Sequence, residues 1–405
     1  MLSADRIMQR CDELARHSEL SGGLTRVFLS REHRAASELV LGWMREAGMN
    51  ARLDDIGNAL GRYEGSRAGL PCLMLGSHLD TVRDAGRYDG MLGVITAIEC
   101  VAALDGKRLP FAIEVIGFGD EEGVRFGTTM LGSRAIAGAV ADAVLKTTDA
   151  AGVSIEQALR DFGLDPAGVR RVARRKDEVL AYVELHIEQG PVLEAEGLPV
   201  GVVSAINGFS RLKVAMHGLA GHAGTVPMNL RRDALAAAAE CVLAVERIAR
   251  SDAELVGTVG RIEAKPGAIN VIPGEVHFTI DFRAPRDALR AQAVDSAKKE
   301  VQAIAARRHV RCEIHVLQEL GVAACAPWLM RQLERAVEAE GVKVRRLPSG
   351  AGHDGMALKG IADIAMLFVR CKDGISHNPA EAISTADAGV GARTLLRFIE
   401  NFGRP

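Results

Sequence analysis

Aromatic residues are scarce in this sequence: two Trp, three Tyr and 11 Phe, 4% of 405 residues. A core with so few rings must be built from aliphatic side chains and close backbone packing, which the 43 glycines allow. Charge of one sign is missing too. Lys and Arg total 50 against 52 Asp and Glu, a formal net charge of −2. That balance removes any general electrostatic case for nucleic acid or a membrane surface as partner. The seven cysteines (Cys11, Cys72, Cys100, Cys241, Cys312, Cys325 and Cys371) are scattered, odd in number and form no CxxC pair. They fit reduced, mostly buried thiols in a reducing compartment. The N-terminal stretch MLSADRIMQRCDELARHSEL is charged throughout and has no apolar run of signal-peptide type. No segment approaches the roughly 18 uninterrupted apolar residues that span a bilayer. These absences together predict a cytoplasmic, soluble protein.

What is present points to two domains, because 405 residues exceed one comfortable core. The opening segment has helical spacing, and residues 31–48 end on Gly48 as a C-cap. PCLMLGSH (71–78) and FAIEVIGFGDEEG (111–123) read as buried strands that empty into polar loops, with a helix between them at 91–104. Strand, loop, helix, strand at this spacing predicts a parallel α/β sheet with ligands at the carboxyl ends of its strands. Residues 135–180 read as charged and helical, and LAYVELHIEQG (180–190) as a third strand. The pattern changes near 210. An alternating strand, an Ala-rich helix (231–249), a strand near 254–263, the strand VHFTIDFR (276–283), a helix (287–306) and a strand (310–316) follow in β-α-β-β-α-β order. The expectation is an α/β catalytic domain, 1–209 with 323–405, whose mostly parallel central sheet is flanked by helices. Residues 210–322 form an inserted ferredoxin-like α+β domain. After it come a helix at 327–340, the strands VKVRRL and IADIAMLFV, and a final helix at 385–401.

Polar residues recur just after the apolar strands: His78 and Asp80 in GSHLDTV, Asp89 in YDGMLG, Glu121 and Glu122 in GDEEG, His186 in ELHIEQG, and His377 in GISHNP. Imidazoles and carboxylates in these numbers suffice for two divalent metal ions. Asp89, at a glycine-flexible turn between strand and helix, is the natural bridge between them. Asp80 is placed to accept the second N–H of His78 and fix its tautomer. Adjacent glutamates cannot readily point the same way, so Glu122 is assigned as ligand and Glu121 as general base. Each residue alone is more commonly a solvated cap or a hydrogen-bonded histidine; the recurrence at successive strand ends makes the metal centre.

GSHLDTV, RYDGMLGV, GDEEGVRFG, ELHIEQGPVLE, GHAGTVPM and GISHNPAE together resemble the allantoate amidohydrolase / N-carbamoyl-L-amino-acid hydrolase family, part of a larger group of two-metal aminoacylases and carboxypeptidases. The resemblance runs in order from about residue 5 to residue 400. It implies the ligands His78, Asp89 (bridging), Glu122, His186 and His377, with Glu121 as base. It further implies substrate-binding roles for Gln189, His222, Asn270, Arg283, Gly352 and His353. It also implies Zn or Mn as the metal, with Co or Ni suited to the same donors, and an inserted domain that acts as lid and homodimer interface. Arg283 would grip a carboxylate through parallel hydrogen bonds, and His222, reaching the neighbouring subunit's site, would donate to the oxyanion. The reaction implied is hydrolysis of a ureido C–N bond in a small carboxylate, with allantoate favoured by the tail segment. N-carbamoyl-L-amino acids and N-carbamoyl-β-alanine are the alternatives. A non-catalytic, metal-stabilised binding protein and a dipeptidase are the readings of other classes. Intact Glu121 argues against the first, and His186 with Gln189 against the second.

Overall fold

A computed structural model describes residues 2–403. The chain divides into two compact units, one made of the residues up to Ala205 with those from Ala324 onward, the other Ile206–Ala323.

The first unit is built on a mixed sheet. Its centre holds four parallel strands in the order Ala112–Phe118, Cys72–His78, Val179–Ile187 and Ile364–Val369. Every residue of Cys72–His78 and of Ala112–Phe118 is buried, as strands covered on both faces must be. Antiparallel strands extend the sheet on both sides. Ala59–Tyr63 and Asn50–Leu53 lie beyond Ala112–Phe118, and Val200–Ile206 lies beyond Ile364–Val369. Helix Met91–Ala103 packs so closely that a Cβ on Gly93 would sit 2.2 Å from the Leu185 carbonyl oxygen. Glu99 of this helix is fully buried, and its carboxylate is met by Arg6 (Nη2 at 2.6 Å) and Arg10 (2.7 Å) of helix Ala4–Leu14. A buried carboxylate survives only with such partners.

The second unit is an antiparallel sheet in the order Ile262–Lys265, Glu275–Ala284, Gly208–His217, Arg311–Leu320. Glu275–Ala284 alternates strictly between buried and half-buried positions. Its inner side chains Phe278, Ile280 and Phe282 join Leu212, Val214 and residues of helices Ala234–Ala249 and Asp287–Arg307 in a separate core. The other sheet face is polar.

Three expectations change. In place of the expected helix over 135–180, residues 131–178 hold only the short helices Leu131–Ile136 and Ile155–Asp161 and two 3-10 helices, before the strand Val179–Ile187 begins. Gly138, Gly152 and Gly163 adopt positive φ there and break the run into pieces. The strand near 254–263 is two, Val256–Thr258 and Ile262–Lys265, both paired with Glu275–Ala284. The edge strands Asn50–Leu53, Ala59–Tyr63 and Val200–Ile206 carry too little alternation to be seen beforehand. All seven cysteines are free, six of them buried. No helix among the described residues is long and apolar enough to cross a membrane.

His33 carries a pH signature for the fold. Its ring is sealed between Phe28 and Phe162, and Nδ1 accepts the Leu29 N–H, leaving Nε2 without a partner. Burial, aided by Arg26, pushes its pKa down from 6.5 to about 3. The unfolded chain therefore binds the extra proton below pH 6.5, and stability falls as pH drops. The contribution lost between pH 7 and pH 5 is about 2 kcal/mol. Thermal melts of the His33→Gln variant should show a flatter decline than wild type across that range; parallel curves would refute the assignment.

Candidate active site

The four parallel strands end along one edge of their sheet, and each feeds part of one polar cluster. His78 closes Cys72–His78, and His186 is the penultimate residue of Val179–Ile187. Glu121 and Glu122 follow Ala112–Phe118, and His377 lies on the loop after Ile364–Val369. Asp89 stands just before helix Met91–Ala103, separated from it by Gly90 at φ 75°. A Cβ at Gly90 would fall 2.6 Å from the His78 ring, so a side chain there would displace the imidazole.

Asp89 is the centre of the arrangement. Its Oδ1 lies 3.2 Å from His78 Nε2 and 3.2 Å from His186 Nε2. Its Oδ2 lies 3.3 Å from His377 Nε2, which is in turn 3.4 Å from Glu122 Oε1. His78 Nδ1 donates to the Asp80 backbone carbonyl and His186 Nδ1 to that of Ile187, each at 2.9 Å. A carbonyl only accepts, so both rings turn an Nε2 lone pair toward a carboxylate, that of His186 also accepting the Gly90 N–H at 3.2 Å. Two such electron-rich groups are held together only by a cation between them. In a protein alone that cation is a proton. Burial works against charge on His78 and His186, yet the nearby Asp89 wins and raises both pKa values. Burial likewise opposes ionised Asp89, but His186, His377 and His78 hold it well below the usual range. Contacts with Asp89 and Glu122 carry His377 up to about 10.

A metal ion answers the same demand. Donors bound tetrahedrally at about 2.0–2.1 Å lie about 3.3–3.4 Å apart, which matches all four separations. Two donor sets share Asp89: His78 with His186, and Glu122 with His377. Glu121 belongs to neither of these sets, although it is within reach of His78 and Glu122. Burial raises its pKa well above the ordinary value; Glu122, Asp354 and Asp80 add to this while His78 opposes it.

Asp80 departs from expectation. The His78 N–H is taken by its main-chain carbonyl, and its carboxylate Oδ1 is 4.0 Å from that nitrogen. The carboxylate instead accepts the backbone N–H groups of Glu121 (3.1 Å) and Glu122 (3.2 Å), and so shapes the glutamate turn. Gln189 donates to Asp89 Oδ2 at 2.8 Å, while its Oε1 is buried without a partner. His353 is sealed in the interior, with Nε2 on the Ser349 hydroxyl (2.7 Å) and its ring centroid 4.6 Å from that of His186. Its ring packs edge-on against that of His186, and neighbouring Gly352 is exposed.

His222, Asn270 and Arg283 belong to the second unit. His222 pairs with Val271 in a two-stranded ribbon, and its Nδ1 accepts the Gly224 N–H at 3.0 Å, which leaves Nε2–H as a donor. The Asn270 carbonyl accepts the Ala223 N–H, so both residues sit on one ribbon. Arg283 is engaged by Asp281 at 3.1 Å, and Arg211 meets the same carboxylate at 3.1 Å, giving two guanidinium groups to one acid. Two residues escaped the sequence reading, Ser376 and Glu381, although both lie within the GISHNPAE motif.

Removal of divalent cations should lower the melting temperature by several degrees, because an ion that binds only the folded cluster stabilises it by mass action. Calorimetry of the protein before and after chelator dialysis, then with Zn or Mn restored, tests this. An unchanged melt would show that protons alone satisfy the cluster.

A model of Peptidase family M20/M25/M40 matches residues 74–401. The chain is 43% identical over 402 residues to an N-carbamoyl-L-amino acid amidohydrolase of Geobacillus stearothermophilus, covering 98% of each. It is 41% identical over 430 residues to allantoate deiminase 2 of Glycine max, covering 98% of this chain and 89% of that one. Among solved structures, an amidase of the hydantoinase/carbamoylase family from Burkholderia multivorans superposes with a TM-score of 0.93 at 34% identity, covering 98% of this chain and 97% of that one. With its donor sets at the strand ends and a family match spanning most of its length, the chain belongs to Peptidase family M20/M25/M40.

Proposed function

We propose that this protein is an amidohydrolase that cleaves a ureido C–N bond in a small carboxylate-bearing substrate, and that the substrate is allantoate, giving ureidoglycine, CO2 and ammonia. The observation that carries the reading is one bridging carboxylate, Asp89, shared by two donor sets, with a buried glutamate beside them that belongs to neither set. A purely structural or binding centre has no use for that extra carboxylate.

His78, Asp89 and His186 would hold one ion; Asp89, Glu122 and His377 the other, with Zn or Mn as the metals proposed. When bound, the ions supply acidified water and a polarised carbonyl. The rest falls to the protein. Glu121 takes the proton from the attacking water and delivers it to the departing nitrogen as the C–N bond breaks. Its raised pKa suits a group that must keep that proton between the two steps. Gln189 orients Asp89 and keeps a free carbonyl for the substrate. His222 is proposed as the oxyanion donor through Nε2–H. Arg283, in the Arg211–Asp281 group, is proposed to hold the substrate carboxylate with Asn270, an anchoring that orients the reacting bond. The same proposal gives the second unit lid and homodimer roles, and places the enzyme in the cytoplasm, in keeping with its free thiols.

A second substrate reading, an N-carbamoyl-L-amino acid, is favoured by the 43% identity to an enzyme named for that substrate. Ammonia release from allantoate, N-carbamoyl-L-amino acids and N-carbamoyl-β-alanine decides between them, using metal-stripped protein reloaded with Mn or Zn. Preference for allantoate is expected. Preference for a carbamoyl amino acid would keep the chemistry and change the substrate, and no turnover of any of them would sink the proposal.

Two variants test the roles. Glu121→Gln should cut kcat by at least about 10²–10⁴-fold with metal content unchanged. Arg283→Lys should raise KM by about tenfold or more, since a charge-assisted hydrogen bond contributes about 1.5–3 kcal/mol; an unchanged KM would remove Arg283 from the substrate site.

A further inference from the structure

The three imidazoles around Asp89 are not held alike. His78 and His186 are each fixed by an Nδ1–H bond to a carbonyl. Among the described residues no such bond to Nδ1 of His377 is present, its side chain is 49% exposed, and its backbone adopts φ 55°. The position of this ligand must therefore come from its loop.

That loop is closed at its base by the Lys372 N–H donating to the Ala382 carbonyl (2.8 Å) and turned internally by Asn378, whose side chain accepts the Ala380 N–H (2.9 Å). Two of its side chains reach back to Asp89. Ser376, one residue before His377, has its Oγ 2.8 Å from Asp89 Oδ2 and 3.0 Å from Glu381 Oε2. Glu381 is buried, and its Oε1 accepts the backbone N–H groups of Tyr88 (2.8 Å) and Asp89 (3.2 Å), 293 and 292 residues away in sequence. The turn leading to Asp89 wraps this carboxylate so tightly that a Cβ on Gly86 would lie 2.3 Å from it.

We propose that Ser376 and Glu381 form a positioning pair that locks the Asp89 turn to the His377 loop and thereby sets the affinity of the ion shared by Asp89, Glu122 and His377. The proposal rests on the two-ion reading above. Glu381 fixes the backbone of the bridging residue with one oxygen and the loop's serine with the other. Ser376 passes that constraint to the Asp89 side chain and, through the chain, to His377.

The test is a Zn2+ titration of metal-free protein in competition with a chromophoric chelator, which resolves the ions by affinity and needs no substrate. Glu381→Ala and Ser376→Ala should each weaken one ion by about 10–100-fold, the scale for groups that orient ligands, and leave the other nearly unchanged. Glu381→Gln should behave as wild type. Its Oε1 still accepts both N–H groups, and its Nε2 can donate to Ser376, freeing the single hydroxyl proton for Asp89. The double variant should lose little more than either single one. Equal weakening of both ions, a Gln variant as impaired as the Ala variant, or unchanged Zn2+ binding in Ser376→Ala would each overturn the proposal. Selective loss of one ion in a protein that hydrolyses no ureido substrate would uphold this pair while ending the allantoate reading.

Discussion

The site depends on a single electrostatic constraint: a buried carboxylate whose two oxygens face separate sets of bare nitrogen and oxygen donors. Asp89 cannot remain in that position uncompensated, because burial penalises its charge and lone pairs repel lone pairs. Positive charge must enter on both sides of it. The architecture around it meets that need. Parallel strands bring their carboxyl ends to one edge, main-chain carbonyls fix two imidazole tautomers, and a glycine lets the chain pass beneath His78. The carboxylate's short side chain matters too, since it keeps both oxygens close to a rigid helix start.

Glu121 and Asp89 show how one neighbourhood gives two acids different work. Asp89 is surrounded by imidazoles and stays ionised. Glu121 sits among other buried carboxylates and holds its proton more tightly. Titratable neighbours pushed apart in this way are what the proposed division between an electrostatic anchor and a proton carrier requires. Asp80, buried beneath the glutamate turn, adds to that push while its carboxylate accepts the backbone N–H groups of Glu121 and Glu122.

Three strand ends were readable because the apolar runs reaching His78, His186 and the Glu121–Glu122 turn are each followed at once by acidic or imidazole groups, and a buried polar residue after a buried strand is uncommon without a purpose. The donor sets follow from that pattern alone. What could not be read is whatever acts through the main chain. Asp80 contributes its carbonyl to His78, and a carbonyl has no side-chain signature. Glu381 holds the N–H groups of a turn nearly 300 residues away, which no local spacing announces. Charge between 135 and 180 suggested helix, but left-handed glycines divide that segment. The burial of His353 was not legible either, because it is decided by the packing of Phe368 and His186 against its ring.

The insertion of Ile206–Ala323 between the two sequence segments of the first unit has a consequence for how the protein is made. The donors lie at positions 78, 89, 122, 186 and 377, so the cluster stays incomplete until nearly the whole chain has left the ribosome. The segment Ile206–Ala323, by contrast, owns a core drawn only from its own residues. Domains tend to fold as units during synthesis. The middle of this chain is thus equipped to become the earliest folded body, before the flanking halves can complete their shared sheet. The donor cluster is complete only once Ile364–Val369 lies beside Val179–Ile187 and the loop that follows brings His377 to Asp89.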